Sequence, residues 1–122
     1  MKSRQDPRHK KRQKVIQELF AQSFSPQSVG ETAQKIIEQT GNLDEKISSS
    51  APAWPIEKLN KIDLAILRLA AYEIMNTQTP PKVIIDEAVE LAKEFGSDNS
   101  SSFINGVLGD LLTKYEKSDT AN

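Results

Sequence analysis

The sequence has no cysteine, a single histidine and no run of about 18 apolar residues. The absence of cysteine excludes disulfides, thiolate metal sites and cysteine nucleophiles, and it is typical of a reducing compartment. Without a long apolar run the sequence predicts no membrane span, and its charged N-terminus has no apolar stretch behind it that would make a secretory signal. We therefore expect a cytoplasmic protein with no membrane partner.

Sequence patterns of known catalytic sites are also missing. The chain has no glycine-rich phosphate loop, no GxSxG, no HExxH and no cysteine–histidine pair. His9 lies among cations, with only Asp6 nearby to orient it as a general base. Four clustered acids are interpreted as a solvated helix face, since no histidine adjoins them to complete a usual metal site: Asp86, Glu87, Glu90 and Glu94. We predict no enzymatic activity, no metal and no cofactor.

Charge is distributed unevenly along the chain. Residues 1–14 hold seven of the 16 basic and one of the 17 acidic residues, so the rest of the chain is acidic. A basic segment on an acidic body predicts an anionic partner, nucleic acid first, and the alternative is a solubilising tail. A single-stranded partner would need stacking aromatics, and Phe20, Phe24 and Phe103 are candidates. Each also fits the apolar stripe of its helix, so core packing stays the alternative.

Apolar residues recur every three or four positions, which predicts an all-α single domain of about six or seven helices. Residues 1–5 are expected to form a flexible basic arm and residues 117–122 a flexible tail. Ser25-Pro26, like Asp6-Pro7, predicts a cap followed by the first turn of a helix. The most apolar stretch, Ile62–Met75, is apolar nearly all round, so we expect a central helix with other helices packed against it.

Glycines and one tryptophan give further local expectations. Gly41 and Gly96 are predicted to end helices. Gly106 and Gly109 lower helix propensity, so we expect them to permit close approach of another helix. Trp54, in the loop 48–55, is expected to plug the core.

Three blocks in the second half, together with a basic start running into Val15–Phe20, resemble the NusB family of bacterial transcription antitermination factors. The blocks are Ile62–Glu73, Pro81–Phe95 and Phe103–Leu108. The resemblance implies an all-helical fold of two small packed bundles. It also implies binding of the boxA element of nascent RNA together with NusE, a ribosomal protein of the small subunit. That complex would act on RNA polymerase during rRNA synthesis, without enzymatic activity or a cofactor.

The basic segment and the resemblance together assign the RNA contacts: Arg4, Arg8, His9, Lys10, Lys11, Arg12, Asn99 and Phe103. The resemblance implies that Asp63 and Tyr72 face the ribosomal protein, on a side of the central helix away from the RNA. For Asp63 the alternative is a helix N-cap, and both roles are compatible. Arg68 and Glu73 are expected to form a salt bridge inside the bundle.

Two other functions fit the same residues. One is a NusB-like RNA-binding or adaptor module that acts in rRNA modification or assembly without antitermination. The other is a structural helical adaptor whose basic arm is only a tail. The chain is also short between Phe24 and Ala33 relative to the family, so the first bundle is expected to lack a helix or to expose an apolar surface.

Overall fold

The computed structural model describes residues 5–121, with side chains described to residue 118. Within that range the chain forms six α-helices, a single 3₁₀ turn at Ile56–Lys58 and no strand, which confirms the all-α prediction. No helix in this range is long and apolar enough to cross a membrane. The helices are α1 (Pro7–Gln22), α2 (Glu31–Glu38), α3 (Thr40–Ser50), α4 (Lys61–Asn76), α5 (Pro81–Phe95) and α6 (Ser100–Ala121).

Helix α4 is the central element, as its apolar sequence predicts. It packs against all five of the other helices. Leu67 and Ala71 on this helix are fully buried, and burying one large aliphatic side chain contributes about 1.5–3 kcal/mol. The buried apolar residues form one continuous cluster to which every helix contributes. The two bundles implied by the resemblance therefore share one core.

Several helix ends follow from single residues. Asp6 caps α1, because its carboxylate accepts the Arg8 backbone N–H at 2.8 Å and Pro7 occupies the first turn. Asn60 caps α4 by accepting the Ile62 N–H at 2.8 Å. Asp63 is therefore not the N-cap of α4, and that alternative is wrong, because Asn60, three residues earlier, is the N-cap.

Gly96 follows the last residue of α5, and a close approach explains why a glycine occupies this position. A Cβ at this position would lie 2.5 Å from Ser100 Oγ and 2.8 Å from the Ala92 carbonyl oxygen. Gly106 and Gly109 differ, since no neighbouring heavy atom lies within 4 Å of the place where a Cβ would be. The expected close approach of a helix at these two glycines is wrong.

The first half of the chain departs from the predicted helix boundaries. Residues 23–30 are not helical, so Ser25-Pro26 starts no helix. The Glu18 carboxylate accepts the Gly30 N–H at 2.8 Å, and Val29 packs against the core, so this segment is held against α1 and α2 follows it directly. Gly41 lies in the first turn of α3 rather than at the end of α2, which stops at Glu38. At the other terminus α6 continues past residue 117, where a tail was expected, to Ala121.

Arg68 and Glu73 are both structural, but not as a pair with each other. Arg68 makes a two-pronged contact with Asp44 of α3, at 2.8 and 2.7 Å. Glu73 instead binds Arg12 of α1. Five positions apart on one helix, the two residues point to different neighbours, so the predicted internal salt bridge is wrong.

Candidate nucleic-acid interface

Part of the predicted basic surface is exposed on α1. The side chains of Lys10, Lys11 and Lys14 are exposed, and that of Arg8 is 83% exposed. These residues share the N-terminal half of one helix, so their charges act on the same solvent region. Arg4, also predicted to contact RNA, lies outside the described residues.

Arg8 already has an anionic neighbour. Its Nη2 lies 3.0 Å from Asp6 Oδ2, and its Nε donates to Asp6 Oδ1 at 3.3 Å. The side-chain hydrogen bond from Arg8, followed by that from the Arg8 backbone N–H, lowers the pKa of Asp6 to about 2. Asp6 is thus ionised at neutral pH and competes with a phosphate for Arg8. It also occupies the N-terminus of α1 as its cap.

His9 lies in the interior rather than on the basic surface. Only 2% of it is exposed, and its Nδ1 lies 3.2 Å from Glu87 Oε1 while its Nε2 lies 2.7 Å from Glu94 Oε1. His9 therefore ties α1 to α5, which corrects the implied RNA contact: both nitrogens are used inside the protein.

Arg12 is drawn into the same network. Its guanidinium donates to both oxygens of Glu73, at 2.8 and 2.7 Å, and to Glu87 at 3.2 Å. The hydrogen bonds to Glu73 raise the pKa of Arg12. Its side chain is only 11% exposed, so it joins α1 to α4 and α5. A direct phosphate contact would have to break these bonds, which speaks against the implied RNA role.

Glu87 and Glu94, two of the four acids predicted to form a solvated helix face, contact α1, and for these two the prediction is wrong. The side chains are 5% and 7% exposed. The spacing did carry a signal, because both fall on the same three-and-four stripe as Ile84 and Leu91. On α1, His9 likewise precedes Ile16 by two turns. The buried faces of α1 and α5 thus include polar residues, His9 on α1 and Glu87 and Glu94 on α5, as well as apolar ones.

A second feature is a cavity of about 240 Å³ where the 3₁₀ turn, the start of α4 and the start of α6 meet. The rings of Trp54 and Phe103 meet edge to face there, with centroids 6.3 Å apart. Trp54 is 56% exposed, so its predicted role as a core plug is wrong. Phe103 is half-buried and packs against the core. The lining includes Trp54, Lys58, Asn60, Asp63, Asn99 and Phe103.

This cavity brings together residues that were expected on different sides of the molecule. Asn99 and Phe103 were assigned to RNA, whereas Asp63 was assigned to the protein partner. Asp63 is 8% exposed, and its Oδ1 has no hydrogen-bond partner among the described residues. Tyr72, the other predicted partner residue, is half-buried against the core and does not line the cavity. Asp63 was expected on a side of α4 away from the RNA contacts, but it lines the same cavity as Asn99 and Phe103.

The fold and these residues can be compared with known proteins. The sequence model of the NusB family matches residues 2–113. A transcription antitermination protein NusB of Chloroflexus aggregans is 49% identical over 88 residues, which are 70% of this chain and 59% of that protein. The protein of the same name from Staphylococcus carnosus is 56% identical over 69 residues, 57% of this chain and 54% of that protein.

A solved structure of T. maritima NusB has a TM-score of 0.76 and 30% sequence identity to this chain, covering 93% of each. The match to the Chloroflexus and Staphylococcus proteins covers less of their length than the match to this structure does. The chain spans less than three fifths of the length of each. The similarity thus extends to the whole fold, and the matching sequence is concentrated in part of it.

Proposed function

Because this chain belongs to the NusB family, we propose that it is a transcription antitermination factor. In this proposal it binds boxA-type RNA together with the ribosomal protein NusE and acts on RNA polymerase during rRNA transcription. The name shared by its relatives supports antitermination. The observation that carries RNA binding is the set of exposed cations on α1 of an otherwise acidic chain: Arg8, Lys10, Lys11 and Lys14.

The proposed electrostatic contact has a defined size. Each phosphate neutralised on a single strand adds about 0.7 to the slope of log affinity against log salt. The three exposed lysines of α1 therefore account for about two units of slope. Arg8 adds less than a lysine, because its guanidinium is already paired with Asp6. The backbone N–H groups at the start of α1 add little, since the Asp6 carboxylate already accepts one of them.

The second proposed RNA contact lies where α5 meets α6. Asn99 is exposed there, and Phe103 presents a partly exposed ring beside Trp54. An aromatic ring at a cavity edge can stack on an unpaired base. We place the ribosomal protein on the Tyr72 side of α4, with Asp63 at the boundary between the two partners.

The test is binding of a boxA-like RNA, by fluorescence anisotropy across a salt series, with and without purified NusE. A variant with Lys10, Lys11 and Lys14 replaced by alanine is expected to bind more weakly, with a slope about two units flatter. Its matched control replaces Lys35, Lys46 and Lys117 by alanine. These lysines lie on other helices, and their replacement removes the same amount of charge. His9 and Arg12 are left intact because they hold α1 in place.

Two results would count against the proposal. If the RNA binds no better than a scrambled strand even with NusE present, the antitermination role is wrong. If RNA and NusE bind but the protein leaves terminator readthrough unchanged in a purified transcription assay, the chain is a NusB-like RNA-binding module without antitermination.

A further inference from the structure

The two halves of α1 are held to the rest of the protein by different interactions. In the C-terminal half the buried side chains are apolar: Val15, Ile16 and Leu19. In the N-terminal half, Pro7–Lys14, the only buried residue is His9. Burial of apolar side chains is the dominant stabilising term in folding. The N-terminal half therefore lacks the interaction that holds the C-terminal half in place.

Polar contacts with glutamates of α4 and α5 hold the N-terminal half instead. His9 Nε2 lies 2.7 Å from Glu94 Oε1, and Gln13 donates to the same carboxylate at 3.1 Å. Arg12 donates to both oxygens of Glu73. We call the whole set the polar clasp: His9, Arg12, Gln13, Glu73, Glu87 and Glu94. Opening returns these groups to water, so each contact contributes only modestly to the closed form.

The exposed side of the same half disfavours the helix. Lys10 and Lys14 lie four positions apart, and Arg8 and Lys11 lie three apart, so each pair places like charges side by side. The first turn contains no acid, and the cations lie near the positive end of the helix dipole. An anion bound along this side relieves the repulsion. Anion binding and closing of this half therefore favour each other.

Closing also changes the charge that this part of the protein presents to RNA. In the closed form the three lysines share one helix half, and Arg12 covers Glu73 and Glu87. In an open form the lysines are dispersed, and the clasp glutamates lose the cover of α1. A surface of cations is then exchanged for one of carboxylates, which repels a polyanion.

From these features we propose that Pro7–Lys14 opens and closes as a unit separate from the rest of the fold, and that RNA is held by the closed form. Local opening of such units is a general property of segments with few buried apolar contacts. The second part of the proposal rests on the proposed binding of RNA. The clasp glutamates then act on RNA without touching it, because they keep the lysines together.

The first experiment is native-state amide hydrogen exchange of the full chain without RNA, followed by NMR. The helical hydrogen bonds of Lys10–Lys14 begin with the Lys10 N–H, which donates to the Asp6 carbonyl at 3.0 Å. These amides are expected to exchange at least about 100-fold faster than those of Leu67–Ala71 in buried α4. That difference is the signature of a separate unit.

Glu94→Ala tests the clasp, because it removes the acceptor of His9 and Gln13. It is expected to speed exchange at Lys10–Lys14 by about tenfold and to leave the core of α4 unchanged. Glu90→Ala is its matched control, the same replacement one turn earlier on α5, at a residue that lines a cavity towards α6. If Glu94→Ala does not fold, Gln13→Ala removes one of the donors and should act in the same direction.

The second experiment repeats the exchange of wild type with a boxA-like RNA at about 100 times its Kd. If opening releases the RNA, exchange at Lys10–Lys14 should slow by about 100-fold. The reference is Thr113–Glu116 in the C-terminal half of α6, where Lys114 contacts α3. Local opening there releases no RNA, so the exchange of these amides should not change.

Several results would overturn the inference. Exchange at Lys10–Lys14 as slow as in the core of α4, or equal effects of Glu94→Ala and Glu90→Ala, would show that the clasp does not hold a separate unit. RNA that binds but leaves this exchange unchanged would refute the coupling, and the proposed RNA binding would stand. If no RNA binds, the coupling fails together with the proposed function, and the exchange of the free protein still decides whether the unit opens.

Discussion

His9 and Glu94 are 85 positions apart in sequence, and His9 Nε2 lies 2.7 Å from Glu94 Oε1. With the second bond to Glu87, this contact fixes the N-terminal half of α1 to α5. The exposed lysines of α1 thus project from a helix whose inner face is held by charge as well as by apolar packing. The residues of α1 that stabilise the fold and the lysines proposed to bind RNA therefore lie on different sides of the same helix.

Replacing His9 with alanine should destabilise the fold. It removes the buried hydrogen-bond partner of Glu87 and Glu94, and the loss of a buried hydrogen-bond partner costs about 1–3 kcal/mol. Denaturant unfolding followed by circular dichroism measures the loss. Lys10→Ala, one position along and exposed, should change the free energy of unfolding by less than about 0.5 kcal/mol. Equal effects for the two variants would show that the His9 network is not structural.

Arg12→Lys should destabilise the protein although the charge is kept. Lysine cannot reproduce the two parallel bonds to Glu73 or the third bond to Glu87, so we expect a loss of about 2 kcal/mol. Lys11→Arg is the reverse exchange at an exposed site and should be neutral. The midpoint of urea unfolding is the measurement, and a stability equal to wild type for Arg12→Lys would contradict the bidentate geometry.

Gly109→Ala should stabilise α6. The position lies inside the helix, and an added Cβ would meet no neighbouring atom within 4 Å. Alanine is favoured over glycine in a helix interior by roughly 0.5–1 kcal/mol. Gly96→Ala is the opposing control, because its Cβ would collide with the Ala92 carbonyl and Ser100. Calorimetric melting should therefore move up for one variant and down for the other.

The pH dependence of Asp6 has a definite sign. Its pKa is lowered from 3.8 to about 2 in the folded protein, so its interaction with Arg8 stabilises α1 fully above the unfolded pKa. That contribution is lost as the pH falls from about 4 through 2. A carboxyl ¹³C titration should give a midpoint near 2 for Asp6. Asp6→Asn, which keeps the cap, should remove the dependence, and a midpoint near 4 in wild type would contradict the contact.

The sequence was sufficient for the parts of the fold that depend on local patterns. The apolar circumference of α4 predicted its central place, and Asp6-Pro7 predicted the start of α1. Both depend on neighbouring residues and on periodicity. The Ser25-Pro26 signal failed because a distant residue, Glu18, binds the backbone at Gly30 and holds the segment in another conformation.

The candidate site was less predictable because its partners are remote. His9 and Arg12 look like a basic run when read along the chain, and nothing local shows that acids on α4 and α5 face them. Trp54 lies in a loop without periodicity, so its exposure could not be read from spacing. The cavity it shares with Asp63 and Phe103 exists only after three separate segments have packed together.

The distance in sequence between His9 and Glu94 also sets an order of events during synthesis. At about 5–20 residues per second, roughly 4 to 17 seconds separate the translation of the two residues. During that time His9 and Arg12 of α1 lack the glutamates of α5 that they contact in the folded protein. The basic helix therefore leaves the ribosome before its partners on α5 and completes its contacts with them only after they have been made.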